Sequence, residues 1–312
     1  MTAGVALVAA CGTEPGTVAK DGSITVQHVF GETRIPARPT RVVSAGFTEQ
    51  DDLLAIGVVP IAVTDWFGGE PFGVWPWAQP KLGGAQPVVL SLADGIQFDH
   101  IAALKPDLIV ATNAGLDADT YTKLSAIAPT IAQSGQDAFF EPWKDQATII
   151  GQAVFKADEI NALIAGIDER FATAGKNNQQ FAGKKVLLLR GTFYRDSVQA
   201  TLPGWRTDFL TQMGFVAPDS INGYRRDEGA LIPRNDVVSV LDTADVLIWT
   251  TESDQEQAAL VADPTFQQLR ATRTNRNVLT DKELAGAIAF ASPLSYPLVA
   301  DQLPGLIARA LA

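Results

Sequence analysis

One short pattern occurs twice in this 312-residue chain, once on each side of a proline-free amphipathic segment. Lys105-Pro106-Asp107-Leu108-Ile109-Val110 and Thr243-Ala244-Asp245-Val246-Leu247-Ile248 each set an aspartate ahead of a Val/Ile/Leu run. Such runs, bounded by turn residues, are the form of strands buried on both faces of a parallel sheet. Residues 41–44, 61–64 and 186–189 repeat it, and each half also carries a helix ending in glycine, at 44–57 and 207–214. Between the halves, Ile160, Leu163, Ile164, Ile167 and Phe171 fall on one helical face. The expected fold is therefore α/β, two Rossmann-like lobes joined by a single long helix with a ligand cleft between them. The expected divisions are a tether at 1–22, a first lobe at 23–152, the helix at 153–176 and a second lobe at 177–312. The length suits two cores of ordinary size, and a single connecting helix permits only small hinge motions.

A net charge of −11 opposes binding to a phosphate backbone, so no nucleic-acid partner is expected. The only cysteine, Cys11, excludes an intrachain disulfide. Leu7-Val8-Ala9-Ala10-Cys11-Gly12 has the small residues before cysteine of a lipoprotein processing site, which makes Cys11 the expected lipidation point. The segment ahead of it lacks a basic region, which points to a translation start upstream; the alternative is a free cysteine in a polar tail.

No nucleophile elbow, phosphate loop or dinucleotide-binding glycine pattern is present, and two histidines do not make an imidazole metal site. An enzyme is not expected, nor an intrinsic cofactor or metal. His28 and His100 read as surface or satisfied core histidines, and Asp51-Asp52 reads as a helix start favoured by the helix dipole.

The residues suited to a ligand are arginines and aromatics. Arg190, Arg195, Arg206, Arg225, Arg226 and Arg234 fall where no lysine occurs between Lys185 and Lys282. A guanidinium grips chelating oxygens bidentately and stacks on rings, which suits an anionic, aromatic ligand. Trp66 and Trp75 lie in a Gly/Pro-rich loop of the first half, with Phe67 and Trp77, where cleft contact is more natural than core burial. Tyr194, Trp205 and Tyr224 accompany the second-half arginines; Trp249, at a strand end, fits cleft or core. The candidate binding set is Trp66, Trp75, Tyr194, Arg195, Trp205, Arg206, Tyr224, Arg225, Arg226 and Trp249.

The chain also resembles the siderophore, cobalamin and haem binding proteins with a rigid interlobe helix, and is similar to actinobacterial ferric-siderophore lipoproteins of the Fec type. The resemblance rests on Pro39-Thr40-Arg41-Val42-Val43-Ser44, the run from Glu49 to Val58, Ile101 to Ile109, Leu124 to Thr130 and Leu241 to Leu247, in that order. It implies a ferric siderophore captured between the lobes and delivered to an ABC permease, by a monomer exported to the cell envelope and lipid-anchored through Cys11. It further implies an acidic residue on each lobe that meets permease arginines: Asp117 or Asp119 in the first, Asp236 in the second, aspartates where the family usually has glutamate. Haem is the alternative ligand, with Tyr194 or Tyr224 as axial donor. An exported esterase or a sensor on the same fold are the alternatives of another class.

Overall fold

The computed structural model describes residues 16–194, 196–227 and 229–312; Cys11 and Arg195 lie outside the described residues. A hairpin of β1 (Ile24–His28) and β2 (Gly31–Ile35) precedes five parallel strands, β3 (Val42–Ser44), β4 (Ala62–Thr64), β5 (Val88–Leu90), β6 (Leu108–Ala111) and β7 (Thr130–Ala132). Their order is β5-β4-β3-β6-β7, so the chain runs outward from β3 and then crosses back past it. The order reverses between β3 and β6, whose following loops are tied together by hydrogen bonds between the backbone of Phe47 and Asn113; ligands of open α/β sheets bind beyond the carboxyl ends of the strands near such a switch. Helices α1 (Glu49–Ala55), α2 (Phe98–Ala103), α3 (Ala118–Ser125) and α4 (Trp143–Ala153) complete this lobe.

Helix α5 (Ala157–Asn177) follows, 21 residues or about 32 Å at the α-helical rise. Of the five residues on the expected face it buries Ile160, Ile167 and Phe171, while Ile164 is half-buried and Leu163 is exposed. These side chains belong to one apolar core that runs from Leu53 and Ile150 of the first lobe to Leu188, Phe209 and Ile248 of the second. Asp168 on the same helix accepts from Lys144 Nζ of α4 at 2.6 Å and from Gln212 Nε2 of the second lobe at 2.9 Å. The connection between lobes is thus a shared core as well as a helix.

The second lobe is built on β8 (Val186–Arg190), β9 (Ser197–Ala200), α6 (Asp208–Gln212), β10 (Arg225–Arg226), β11 (Gly229–Pro233), α7 (Arg234–Leu241) and β12 (Val246–Thr250). It ends with α8 (Asp254–Ala262), α9 (Pro264–Gln268), α10 (Arg270–Arg273), β13 (Asn277–Leu279), α11 (Lys282–Phe290) and α12 (Ser295–Leu311). The sheet order is β10-β11-β9-β8-β12-β13. Only β8, β12 and β13 run parallel; β9 and β11 add antiparallel strands on the other side. The two runs read from the sequence, 186–189 and 246–250, do pair in parallel; the antiparallel strands are added because the chain turns straight back after β8, and a tight turn can join only antiparallel strands. The arginine-rich stretch is largely spent on this extension.

Candidate ligand cleft between the lobes

The carboxyl ends of the first-lobe strands carry a cluster of rings. Phe47 follows β3, Trp66 follows β4, and Phe139 and Phe140 follow β7. Phe47 stacks on Trp66, Phe139 and Phe140 with centroids 5.8, 5.9 and 6.2 Å apart, and Trp66 lies 4.8 Å from Phe140. Phe139 leaves 46% of its surface open to solvent. Gly115 makes this possible: a Cβ there would stand 2.3 Å from the Phe139 ring, and its φ of +69° favours glycine.

The second lobe meets this cluster with two side chains. Phe290, at the end of α11, is buried within 5.4 to 5.9 Å of Trp66, Phe67, Trp75 and Trp77. Arg206 places its guanidinium 4.2 Å from the centre of the Trp205 ring and 5.1 Å from that of Phe140 in the opposite lobe. Burial lowers the Arg206 pKa, and among the described residues no carboxylate forms an ion pair with it. A partly desolvated cation that, among the described residues, lies against rings and pairs with no carboxylate is the arrangement that an incoming anion would complete. At the rim, Lys282 of α11 donates to Glu70 Oε1 at 2.7 Å and to the Gly68 carbonyl at 2.8 Å.

Beneath the rings lie four buried carboxyl groups. Glu49 accepts from the backbone N–H of Gly46 and Asn113 and from the hydroxyls of Ser44 and Thr112, at 2.9 to 3.2 Å. Burial outweighs these donors and pushes its pKa up to about 7. Burial likewise raises Asp51 to about 6 and Glu141 to about 7, and holds Asp52 well above the carboxylate range. Asp51-Asp52 does stand in the first turn of α1, as read from the sequence, but both side chains are fully buried, with α1 packed on α4.

The structure brings together Trp66, Trp205 and Arg206 of the expected binding residues. Trp75 is corrected to a core residue, 1% exposed. Its indole lies between Gly68 of its own loop and Gly286 of α11, where added Cβ atoms would each stand 2.5 Å away. Two missing side chains, one from each lobe, let the loop fold its tryptophan inward. Trp249 is also core, with Nε1 donating to Asn277 Oδ1 at 3.0 Å. Tyr224 is turned to its own lobe, where its hydroxyl donates to Asp236 Oδ2 at 3.0 Å. Arg225 and Arg226 are exposed on β10, and the register Leu189, Ala200, Ala230, Arg225 sets them three strands from β8, about 14 Å at the usual spacing. Tyr194 is exposed in the turn after β8. Asp117 and Asp119 are exposed at the start of α3, Asp117 capping it by accepting from the Thr120 N–H at 2.8 Å. Phe47, Phe139, Phe140 and Phe290 were not singled out in the sequence; the first three share the trait of falling just after an apolar strand. A separate open groove of about 420 Å³, lined by Ser253, Asp254, Leu284 and Arg309, lies toward the other end of α11.

Two α/β lobes, a continuous core through one helix and an aromatic interlobe cleft define a two-lobed solute-binding protein. The sequence profile of the periplasmic binding proteins matches residues 42–284, and the chain belongs to that family. It is 69% identical to a periplasmic solute binding protein from Mycobacterium smegmatis of known crystal structure, covering 94% of this chain and 100% of that one with a TM-score of 0.89. It is 25% identical to the iron uptake ABC transporter substrate-binding protein PiaA of Streptococcus pneumoniae, over 92% and 99% of the two chains, TM-score 0.73. The probable siderophore-binding lipoprotein YfiY of Bacillus subtilis is 28% identical over 69% of this chain, and the match spans 65% of YfiY.

Proposed function

We propose that this protein captures a ferric siderophore in the cleft between its lobes and hands it to an ABC permease in the cell membrane. The observation that carries the reading is the Arg206 guanidinium over the rings of Trp205 and Phe140, beside Trp66 and with no ion-pair partner among the described residues. Rings receive the organic shell of the chelate and the guanidinium receives its anionic oxygens, so the iron stays with its own chelator. The names of two relatives, siderophore-binding and iron uptake, support the same ligand class. Haem is disfavoured through Tyr224: its hydrogen bond to Asp236 raises the phenol pKa, which works against a tyrosinate ligand. Lipid anchoring at Cys11, a monomeric state and permease contact through Asp117, Asp119 and Asp236 belong to this proposal. Both acidic sites stand at the start of a helix that follows a strand pointing toward the cleft, α3 after β6 and α7 after β11.

Titration of tryptophan fluorescence with ferric hydroxamate, catecholate and carboxylate chelates, and with haemin, tests it. Saturable quenching by an iron chelate that weakens in Trp66→Ala and Arg206→Gln is expected. Saturation by haemin alone, or silence toward every chelate, overturns it.

A further inference from the structure

Away from α5, a fully buried hydrogen bond joins the two lobes. Asp51 Oδ2 on α1 accepts from Ser292 Oγ, in the turn between α11 and α12, at 2.6 Å, and from Trp77 Nε1 at 2.8 Å. Ser292 Oγ accepts in turn from the N–H groups of Leu294 and Ser295 at 3.3 and 2.9 Å, which fixes it to the first turn of α12. Asp51 Oδ1 is buried and has no hydrogen-bond partner among the described residues. The ionisable groups about it are Glu49 and Asp52 on α1, Glu141 ahead of α4 and Tyr296 on α12, all buried. The cations at the interface are engaged elsewhere: Lys144 on Asp168, Lys282 on Glu70 and Arg206 on the rings of Trp205 and Phe140. Among the described residues none forms an ion pair with Asp51.

We propose that Asp51 is a proton-linked clasp between the lobes: a proton on Oδ1 leaves both donors on Oδ2 in place and removes the charge that closure would otherwise bury. The clasp then holds most firmly when the carboxyl is neutral, and ionisation loosens it. An unpaired anion cut off from water is costly, whereas a neutral carboxyl with its hydrogen bonds kept is not. Separation of Ser292 from Asp51 lets water reach the group and returns it to ordinary carboxylate behaviour. The closed form therefore binds the proton more tightly than the open form, and acid favours closure. With a pKa of about 6 closed and 3.8 open, the closing equilibrium is about tenfold larger at pH 5 than at pH 8. The clasp does not depend on which ligand the cleft takes.

Hydrogen exchange of the Trp77 indole N–H in the full chain, followed by NMR and corrected for its intrinsic rate, reads this opening even when it is rare. The expected result is a protection factor about tenfold higher at pH 5 than at pH 8 in the native chain. Asp51→Asn is expected to be protected equally at both pH values. Ser292→Ala, which leaves the carboxyl in place, is expected to lose protection at both. A flat native profile, a tenfold pH response that persists in Asp51→Asn, or native protection in Ser292→Ala each overturns the clasp.

Discussion

The cleft and the far edge of the second lobe's sheet are built by opposite means. The first-lobe wall is continuous with the core: Trp66 rests on Phe67 and Phe290, and these on the fully buried Trp75. The second-lobe arginines Arg225 and Arg226 lie exposed on an edge strand of two residues. Arg206 is the second-lobe guanidinium that does reach the cleft, 5.1 Å from the centre of the Phe140 ring. A ring that faces a ligand needs another layer behind it to hold its position, whereas an exposed guanidinium needs only a strand to stand on. Substitutions in the first wall are thus expected to register in stability, those on the edge strand in little but ligand and salt response.

The largest effect is expected from Trp75→Ala, which removes the layer between Gly68 and Gly286. A loss of about 3–5 kcal/mol, the usual range for truncation of a buried aromatic, is expected in urea denaturation. A loss no greater than that of a surface substitution would show that the two regions do not differ in this way. Next, Arg206→Gln should weaken binding of an anionic ferric chelate by roughly 30-fold, in the range of a charge-assisted hydrogen bond, with the melting temperature nearly unchanged. Calorimetric titration separates the two quantities.

The pH dependence of stability ranks third. Glu49, Asp51 and Glu141 have folded pKa values of about 7, 6 and 7, above ordinary values of 4.5, 3.8 and 4.5, and Asp52 is raised as well. Between pH 4 and 7 the folded chain then holds more protons than the unfolded one, so stability falls as pH rises through that window and levels off above it. Scanning calorimetry should give a melting temperature about 5 °C higher at pH 5 than at pH 7.5, and a lower one would refute the assignment. The smallest effect is expected for Arg225→Ala, a change under about 0.5 kcal/mol in stability. Its effect on chelate affinity should be smaller than that of Arg206→Gln and should fade with added salt.

Much of the frame was legible in the amino-acid order. The runs at 108–111 and 246–250 are strands β6 and β12, and the face of Ile160, Ile167 and Phe171 is the buried stripe of α5. Local pattern suffices there because a buried parallel strand must be apolar throughout and a helix must repeat its apolar stripe. The three-residue strands β3 and β4 were legible as the apolar runs 41–44 and 61–64, whereas β5, β7 and β13, of the same length, were not singled out, and β10 has two residues only.

The cleft itself depends on contacts between residues distant in the chain. That Trp66 faces the ring cluster while Trp75, nine positions on, is buried follows from Gly286, more than 200 residues away. That Asp51 and Asp52 are interior groups follows from the packing of α4 and of the turn holding Ser292 against α1. Composition and spacing thus settled several apolar strands, the connecting helix and a two-lobed α/β fold, because those are decided within a few turns of chain. Only the tertiary structure decided which aromatic, arginine and carboxylate side chains meet, because burial and pairing are set by neighbours that local sequence does not contain.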